Sequence, residues 1–408
     1  MKRLTLAEWE RKYIAGPVER FDQKYQMFNR PNWDPEIKDL LKSWSFTGEA
    51  KDKPGYTQLD HALQQASWAG TQIALFNTSK PNSNPGPGAM MSAMAAGPRR
   101  GSGPGTGSGG SPTKMTIDDP KIMTRDIKKA AAYFGASVAG VCKLDGRWVY
   151  SHTYQPARPG PGGPPVESAG ESKPQQIPED FEYAVVMGFA EEYDMIKYFP
   201  SYVGEAPVGM GYTRMALANA HLSSFIRNLG YKAIDCSTND VALSVPMAMQ
   251  AGLGDQGRNG LLISPRYGAR LRLSKVITDL PLTADSPIDF GVTEFCAACK
   301  KCADQCPSRS ITQGDRTMAP INASNAGGAR KWRINAETCR TYWSRVNKGC
   351  NTCVACCPYT KADTWPHRTT LWFTDHVRWA DGLYVRMDDM LGYGKPKKAD
   401  RFWEEWKA

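Results

Sequence analysis

The stretch FCAACKKCADQCP, residues 295–307, decides how this sequence is interpreted. Its four cysteines are separated by two, two and three residues, and proline follows the last one: Cys296, Cys299, Cys302 and Cys306. Three thiolates at the closer spacing can bind three corners of one 4Fe-4S cluster. A fourth cysteine followed by proline binds the other cluster in two-cluster ferredoxins. The spacing therefore predicts two clusters that share this segment.

A second cysteine run, CRTYWSRVNKGCNTCVACCP at residues 339–358, provides further ligands. It ends in Cys-Pro like the first run, so we expect the two runs to exchange their last cysteines. The first predicted cluster has the ligands Cys296, Cys299, Cys302 and Cys357. The second predicted cluster has the ligands Cys306, Cys339, Cys350 and Cys353. Structural zinc prefers two separated cysteine pairs, and the triple at two-residue spacing fits that pattern poorly.

The other three cysteines are predicted to be ordinary thiols. Cys356 is the spare neighbour of Cys357, and we expect it to be packed. Cys142 and Cys236 lie in strand-like segments and are expected in the core. Nine of the eleven cysteines lie between residues 296 and 357, whereas a secreted disulfide scaffold spreads its cysteines over a small chain. The clustering therefore favours metal binding.

Composition and charge describe an ordinary globular chain, with 41% hydrophobic and 23% charged residues. No segment reaches the roughly 18–20 apolar residues that span a bilayer. The opening MKRLTLAEWERKY has charges where a signal sequence has an apolar core. We therefore expect a cytoplasmic protein, or an exported, membrane-associated one that has lost a twin-arginine signal. The net charge of +10 is spread along the chain, which favours attraction of an acidic electron donor over nucleic-acid binding.

The sequence predicts an α/β (α+β) protein with four regions. Residues 1–117 form an N-terminal wrapping region that includes a Gly/Pro/Ser-rich flexible loop at 77–113. An α/β core spans residues 118–290 and a cysteine-rich module spans 291–365. A tryptophan-rich tail, residues 366–408, is expected to pack on the core.

Helices and strands alternate in the predicted core. Apolar residues recur at helical spacing in YTRMALANAHLSSFIRNLG, which predicts a helix that opens at Tyr212 and stops at Gly230. Two more helices are predicted, in TRDIKKAAAYFGA and VPMAMQAG. Strands are predicted in SVAGVCKL, EYAVVMGFA, YKAIDC, LLIS and RLRLSKVITDLPL.

The segment AGLGDQGRNGLLISPRYGARLRLSKVITDLPL, residues 251–282, together with the two cysteine runs, resembles the corrinoid-dependent reductive dehalogenases. The resemblance extends from about residue 118 to the C-terminus. It implies a nitroreductase-like corrinoid-binding core followed by a ferredoxin-like module with two 4Fe-4S clusters. It also implies a base-off corrinoid (cobalamin) whose Co(I) state removes halogen from a halogenated organic substrate. A low-potential electron donor (ferredoxin, flavodoxin or a membrane donor) and a homodimer are compatible with it.

The resemblance also implies catalytic residues. Tyr212 falls on the family's proton-donating tyrosine, Asn239 on an assisting asparagine, and Arg272 or Arg270 on a cation that favours the phenolate. The two arginines share one face of a strand, so alternation does not separate them, and the family's spacing favours Arg272. Trp343 falls on an aromatic residue of the pocket. Less strongly, Trp68 and Trp44 are candidates for the same wall.

Corrinoid contacts are implied for six residues: Gly252, Gly254, Gly257, Arg258, Arg270 and Trp343. The three glycines match G-x-G-x-x-G, the dinucleotide fingerprint, but that motif follows a strand and opens a helix. Here a helix-like segment precedes and the apolar run LLIS follows. The resemblance implies a glycine-rich loop near the corrinoid's phosphate tail instead. None of the five histidines lies in a D-x-H-x-x-G motif, in agreement with a base-off cofactor.

Two other interpretations account for part of the sequence. Epoxyqueuosine reductases, which act on tRNA, also have a corrinoid, two clusters and similar TDLPL and cysteine-rich blocks. They use a carboxylate acid, so the tyrosine in GYTRMA and the long N-terminal region favour a dehalogenase. A non-catalytic electron-transfer subunit would explain the cysteines but leave the corrinoid-like core unexplained.

Overall fold

The computed structural model describes residues 1–40, 49–75, 113–156, 170–238 and 240–405. The predicted flexible loop at 77–113 lies outside these residues except for its last member. Trp44 and Asn239 also lie outside them, so the interpretations of both stay predictions.

The described residues alternate helices and strands, as expected for the α/β class. The helices are α1 (Leu6–Tyr13), α2 (Pro35–Leu40), α3 (Gln58–Leu75), α4 (Pro120–Tyr133), α5 (Tyr193–Ile196), α6 (Tyr202–Asn228), α7 (Ser244–Gln250), α8 (Val292–Cys299), α9 (Lys301–Asp304), α10 (Ala336–Val346), α11 (Thr352–Ala355), α12 (Trp365–His376), α13 (Asp381–Met390) and α14 (Phe402–Glu405). The strands are β1 (Lys2–Arg3), β2 (Val138–Lys143), β3 (His152–Gln155), β4 (Glu171–Pro174), β5 (Tyr183–Ala190), β6 (Ala233–Cys236), β7 (Asp255–Gln256), β8 (Leu262–Ile263), β9 (Leu271–Thr278) and β10 (Ile288–Asp289).

A four-stranded antiparallel sheet in the order β2-β5-β9-β6 forms the centre of the core. Alternate residues of β5 point to opposite faces because the side-chain period of a strand is two. Val185, Met187 and Phe189 pack with apolar residues of α4 and α6. Ala184 and Val186 pack with apolar residues of α7 and the N-terminal α1. Both faces of the sheet are thus covered by helices.

Helix α6 differs from the prediction. It begins at Tyr202 and runs for 27 residues, so Tyr212 lies in its interior and the predicted start at Tyr212 is wrong. The preceding segment contains Pro207 and several glycines, which have low intrinsic helix propensity. Tertiary packing overrides that propensity, since α3 lies along this part of α6. A Cβ on Gly209 would come within 2.6 Å of the Trp68 ring, so the small residue permits the close approach.

The N-terminal segment is tied to the core at two points. Strand β1 pairs with β10, and in α1 the Tyr13 hydroxyl donates a hydrogen bond of 2.5 Å to Asp255. Trp9 and Tyr13 are both buried in the core cluster. Within the part of the chain that the structure describes, no helix is both long and apolar enough to cross a membrane.

Candidate functional site: two cysteine groups and a tyrosine–arginine pair

The first cysteine group surrounds a cavity. Helix α8 ends at Cys299, Lys300 adopts a left-handed conformation, and the chain turns into α9. This turn brings three cysteines of one short segment to the same cavity, where a fourth joins them from the second run. The four are Cys296, Cys299, Cys302 and Cys357.

The second group consists of the other four predicted ligands. Desolvation raises the pKa of the half-buried Cys353 well above the ordinary value, and nearby Cys350, Cys356, Cys339 and Cys306 raise it further. Burial raises the pKa of Cys339 to about 12, with the same two neighbours, Cys350 and Cys306, contributing. Cys306, Cys339, Cys350 and Cys353 are therefore neighbours, with Cys356 also close to Cys353. The binding of clusters by the two predicted sets of four cysteines stays a prediction.

The cysteines outside these groups are buried, as expected. Cys142 and Cys236 are 2% and 0% exposed, and both belong to the cluster of core residues under the sheet. Cys356 is also fully buried. Among the described residues, no group of His, Cys, Asp or Glu side chains could hold a single metal ion.

Tyr212 lies between an aromatic ring and a guanidinium group. Its ring stacks on Trp68 with centroids 5.2 Å apart and an angle of 22° between the planes. The Arg272 guanidinium carbon lies 5.4 Å from the centroid of the Tyr212 ring. These residues come from α3, α6 and β9, so the pair predicted from the family resemblance, Tyr212 and Arg272, is in contact.

Glu191 holds Arg272 in this position. Its carboxylate is almost fully buried, accepts a hydrogen bond from Arg272 Nε, and accepts another from Asn351 Nδ2 at 3.1 Å. Burial by itself lowers the pKa of Arg272, but the charges of Glu191, Tyr212 and Cys353 and the hydrogen bond to Glu191 together outweigh it, so the pKa is raised. The guanidinium beside Tyr212 thus stays charged.

Sequence reasoning did not identify Glu191 or Asn351. Glu191 directly follows the buried strand β5, and Asn351 lies between two predicted cluster ligands. A carboxylate at the end of an apolar strand was the available signal for Glu191. Nothing in the sequence indicated that both side chains would meet Arg272.

Arg270 has a different environment from Arg272. Its Nη1 donates a hydrogen bond of 2.6 Å to the backbone carbonyl of Glu191, and its guanidinium lies over Tyr193 and Tyr267. Its buried Nε has no acceptor among the described residues. The structure therefore distinguishes Arg270 from Arg272 by their environments, which the alternation of strand residues could not do.

Trp343 lies in α10, and its ring contacts are not those of the Tyr212 stack. Its ring contacts Phe28, with centroids 6.2 Å apart, and the Arg340 guanidinium lies 5.8 Å from its centroid. Its buried Nε1 donor also has no acceptor in the described part of the chain. Arg270 and Trp343, both predicted to contact a cofactor, thus each carry an unused buried N–H group.

The predicted glycine loop has a structural explanation within the chain. Gly252 has φ +72°, and a Cβ on Gly254 would lie 2.1 Å from the carbonyl oxygen of Ile263. Close packing within the chain therefore requires glycine at these two positions. The same holds for Gly257, where a Cβ would lie 2.8 Å from the Ile263 side chain. Their contact with a corrinoid stays a prediction.

Arg258 lies beside the first cysteine group. Its guanidinium donates hydrogen bonds to the carbonyl oxygens of Cys296 (3.0 Å), Thr312 (2.8 Å) and Gly314 (3.0 Å). It also lies 4.6 Å from the centroid of the Trp332 ring. The structure thus indicates a role in holding the cysteine loop, where the sequence predicted a corrinoid contact.

Comparison with known proteins gives relatives of this chain and of its fold. No protein-family model matches the sequence. The chain is 38% identical over 304 residues to a tetrachloroethene reductive dehalogenase of Sulfurospirillum multivorans, a match that covers 70% of this chain and 60% of the relative. A solved structure of the catabolic reductive dehalogenase NpRdhA has the same fold, with a TM-score of 0.68 at 24% identity over 96% of this chain and 48% of that one.

The chain is therefore homologous to the reductive dehalogenases. The chain is also 34% identical over 119 residues to an epoxyqueuosine reductase of Lactococcus garvieae. This match covers 29% of this chain and 32% of that protein. Since the chain spans about 60% of the length of the Sulfurospirillum relative, homology alone does not establish the activity of the whole protein.

Proposed function

We propose that this protein is a reductive dehalogenase that replaces a halogen of an organic substrate by hydrogen. It uses a base-off corrinoid supplied with electrons by two 4Fe-4S clusters, and Tyr212 donates the proton. The observation that carries this proposal is the contact of Tyr212 with Arg272, which Glu191 links to Asn351. The proposed proton donor is thereby joined to the loop between two predicted cluster ligands, Cys350 and Cys353.

The residues present fit the proposed cofactors. Eight cysteines in two groups of four match the ligand number of two 4Fe-4S clusters. The unused N–H groups of Arg270 and Trp343 suit the amide carbonyl groups at the edge of a corrinoid. A nitroreductase-like core and a ferredoxin-like module remain part of the proposal.

The reaction consumes two electrons and one proton and releases halide: R–X + 2e⁻ + H⁺ gives R–H + X⁻. When bound, a corrinoid held by groups such as Arg270 and Trp343 would supply the electrons that break the carbon–halogen bond. Tyr212 donates the proton from its hydroxyl to the substrate carbon. Arg272 holds its positive charge beside the ring from which the proton leaves. Glu191 keeps Arg272 in place throughout.

The position of Arg272 also distinguishes the two cysteine groups. Asn351, between Cys350 and Cys353 of the second group, binds the Glu191 carboxylate that holds Arg272. We therefore place the second group on the side of Tyr212. A cluster held by the first group would then be the one that accepts electrons from the donor. The low-potential electron donor and the homodimer stay predictions.

The substrate class follows from the walls of the site and from relatives. Aromatic side chains such as Trp68 suit an apolar ligand. The Sulfurospirillum relative is named for tetrachloroethene, and NpRdhA has a structure in complex with 3-bromo-4-hydroxybenzoic acid. We accordingly propose a halogenated aliphatic or aromatic compound as substrate.

The decisive experiment measures halide release by corrinoid-loaded, cluster-reconstituted protein on a panel of chlorinated and brominated alkenes and phenols. A low-potential dye serves as donor, and the Tyr212→Phe variant at equal corrinoid content is the matched control. We expect halide release that requires corrinoid and is strongly reduced in the variant. Absence of halide release from every compound, with reduction of an epoxyqueuosine-containing tRNA stem loop, would contradict the proposal in favour of the alternative enzyme.

A further inference from the structure

Helices α12 and α13 have their polar residues inside and their apolar residues outside. In these two helices, which the structure describes in full, the buried residues are polar: Thr374, Asp381 and Asp388. Large apolar side chains of the helices and of the turn between them are exposed instead. We call six of them the tail surface: Trp365, Trp372, Trp379, Leu383, Met387 and Met390. Large exposed apolar patches are rare on soluble proteins and mark binding surfaces.

The spacing of these residues in the chain places them on one side of each helix. Trp365 and Trp372 are seven residues apart, which is close to two turns of α12. The apolar stripe of α13 has the spacing i, i+4 and i+7: Leu383, Met387 and Met390. Trp379, in the turn between the helices, is 87% exposed. Both helices and their connecting turn thus present apolar side chains to the outside.

Buried ion pairs fix this orientation of α13. Asp388 Oδ2 lies 2.6 Å from Lys301 Nζ, and Asp388 Oδ1 lies 2.6 Å from Lys361 Nζ. Helix α13 also packs on α8, which ends at Cys299 of the first cysteine group. Because the charged side of α13 is held against the cysteine-rich module, its apolar stripe faces away from the protein. The tail surface therefore lies on the side of the first cysteine group.

The exposed charge of this region is mainly positive. Between residues 365 and 398 one acidic residue, Asp389, and six basic residues are exposed: Arg368, Arg378, Arg386, Lys395, Lys397 and Lys398. Asp363 lies 3.5 Å from Arg368, and Glu294 lies 3.0 Å from Arg378. Asp389 pairs with the buried Lys301. The other four basic residues form no ion pair with described residues, so positive charge remains in excess after these pairings.

Apolar side chains interleaved with cations suit an anionic lipid surface. Tryptophan is enriched where membrane and water meet, and basic residues beside an apolar helix face are attracted to anionic lipids. The centre of a protein–protein interface is instead depleted of charged residues. Here Arg378 precedes Trp379 and Arg386 precedes Met387, so cations occur within the apolar stretch. This mixture favours a bilayer over a protein partner.

We propose that the tail surface binds a membrane that contains anionic phospholipids. Its tryptophan, leucine and methionine side chains insert among the headgroups, and its basic neighbours contact the lipid phosphates. This mode of binding needs no membrane-spanning helix, and it turns the first cysteine group toward the bilayer. The inference does not depend on the proposed function, because lipid binding requires neither a cluster nor halide release.

Co-sedimentation of the full chain with lipid vesicles tests this proposal. Vesicles of phosphatidylglycerol and phosphatidylcholine in equal amounts are compared with vesicles of phosphatidylcholine alone. We expect about tenfold tighter binding to the anionic vesicles at low salt, and weaker binding as salt screens the basic residues. The double variant Lys395→Gln/Lys398→Gln should lose about tenfold in affinity for the anionic vesicles, because two cations near the surface are removed.

A second double variant tests the apolar contribution. Trp365→Ser/Trp379→Ser removes apolar area that the bilayer would bury, so binding to the anionic vesicles should weaken about tenfold. The matched control is Tyr133→Ser, which removes an equally exposed aromatic ring from α4 and should bind like wild type. Because all these side chains are exposed, circular dichroism and iron content should be the same in every variant.

Two results would overturn the inference. One is equal binding of wild type to the two kinds of vesicle, or an equal loss of binding in Tyr133→Ser. The other is a wild-type chain that does not bind vesicles but forms a dimer, which Trp365→Ser/Trp379→Ser dissociates, since a second copy would then cover the tail surface. Halide release with a soluble dye tests the proposed function separately and should be normal in all these variants.

Discussion

The cysteine groups and the Tyr212 site are encoded in different ways. Eight cysteines lie in two short runs, and their spacing predicts which four bind each cluster. Tyr212 meets Trp68 and Arg272, and Glu191 binds Arg272, so the site combines segments of the chain between residues 68 and 272. The first region depends on local turns, whereas the second depends on how helices pack on the sheet.

This difference predicts which substitutions each region tolerates. A substitution at one cysteine should affect one cluster and leave the Tyr212 stack intact. A substitution at Tyr212 or Arg272 should affect turnover and leave iron content intact. Loss of iron in a Tyr212 or Arg272 variant, or disruption of the Tyr212 stack in a cysteine variant, would contradict this difference.

The largest expected effect is the loss of one cluster. Cys357→Ser removes a thiolate from the group that contains Cys296, Cys299 and Cys302, so we expect iron to fall toward half and turnover to be abolished. The control is Cys356→Ser, which replaces the neighbouring, fully buried thiol and should keep both clusters. Iron analysis of both purified variants checks this. Equal iron loss in the two variants would argue against the crossed ligand assignment.

Replacement of Arg272 should affect both stability and turnover. Arg272→Ala leaves the buried Glu191 carboxylate without its cation, a change that costs about 3–5 kcal/mol of unfolding free energy. Arg272→Lys keeps a positive charge without the planar fork, so its effect should be smaller. Denaturant unfolding and turnover per bound corrinoid measure the two consequences. Arg270→Lys is the matched control, and a larger effect there would assign the catalytic cation to Arg270.

Replacement of Tyr212 should affect turnover alone. Tyr212→Phe keeps the ring that stacks on Trp68 and removes the proposed acid. We expect turnover per corrinoid to fall about a hundredfold, the ordinary worth of general acid catalysis. Tyr202→Phe, in the same helix but bonded to the Glu49 carbonyl, should be nearly normal. Near-normal turnover of Tyr212→Phe would end the assignment of the proton donor.

The smallest effect on the cysteine groups and on the Tyr212 site should come from a substitution of Asp255, which connects α1 to the core. Burial raises its pKa from 3.8 to about 6, against the opposing effects of Lys12 and Tyr13. Between pH 4 and 6 the folded protein holds a proton there that the unfolded chain has lost, so this group's contribution to stability falls as pH rises. Asp255→Asn should remove that cost, up to about 3 kcal/mol of unfolding free energy above pH 6.

Denaturant unfolding at pH 4, 5, 6 and 7 measures this effect, while iron content and turnover should stay unchanged. The control is Asp289→Asn. Burial opposes ionisation of Asp289, but hydrogen bonds from Lys12 and Gly291 outweigh it and lower its pKa, so the variant should be less stable at neutral pH. A pH-independent difference between wild type and Asp255→Asn would show that the buried carboxyl does not titrate in this range.

Much of the fold was predictable because apolar periodicity is a local property. The strands β2, β5, β6 and β9 and the helices α4 and α7 lie where their patterns predicted them. The start of α6 was not predictable, because the glycines and Pro207 that argue against a helix are tolerated only where α3 packs on them. The choice between Arg270 and Arg272 likewise needed the positions of Glu191 and Tyr212, which no local pattern encodes.

The central claim is that this chain holds two 4Fe-4S clusters in two groups of four cysteines. Iron and acid-labile sulfide analysis of anaerobically reconstituted protein tests it most directly, with the amount of each expressed per chain. The account predicts about eight iron and eight sulfide, since each cluster contributes four of each. A value near four, or zinc in place of iron, would contradict it.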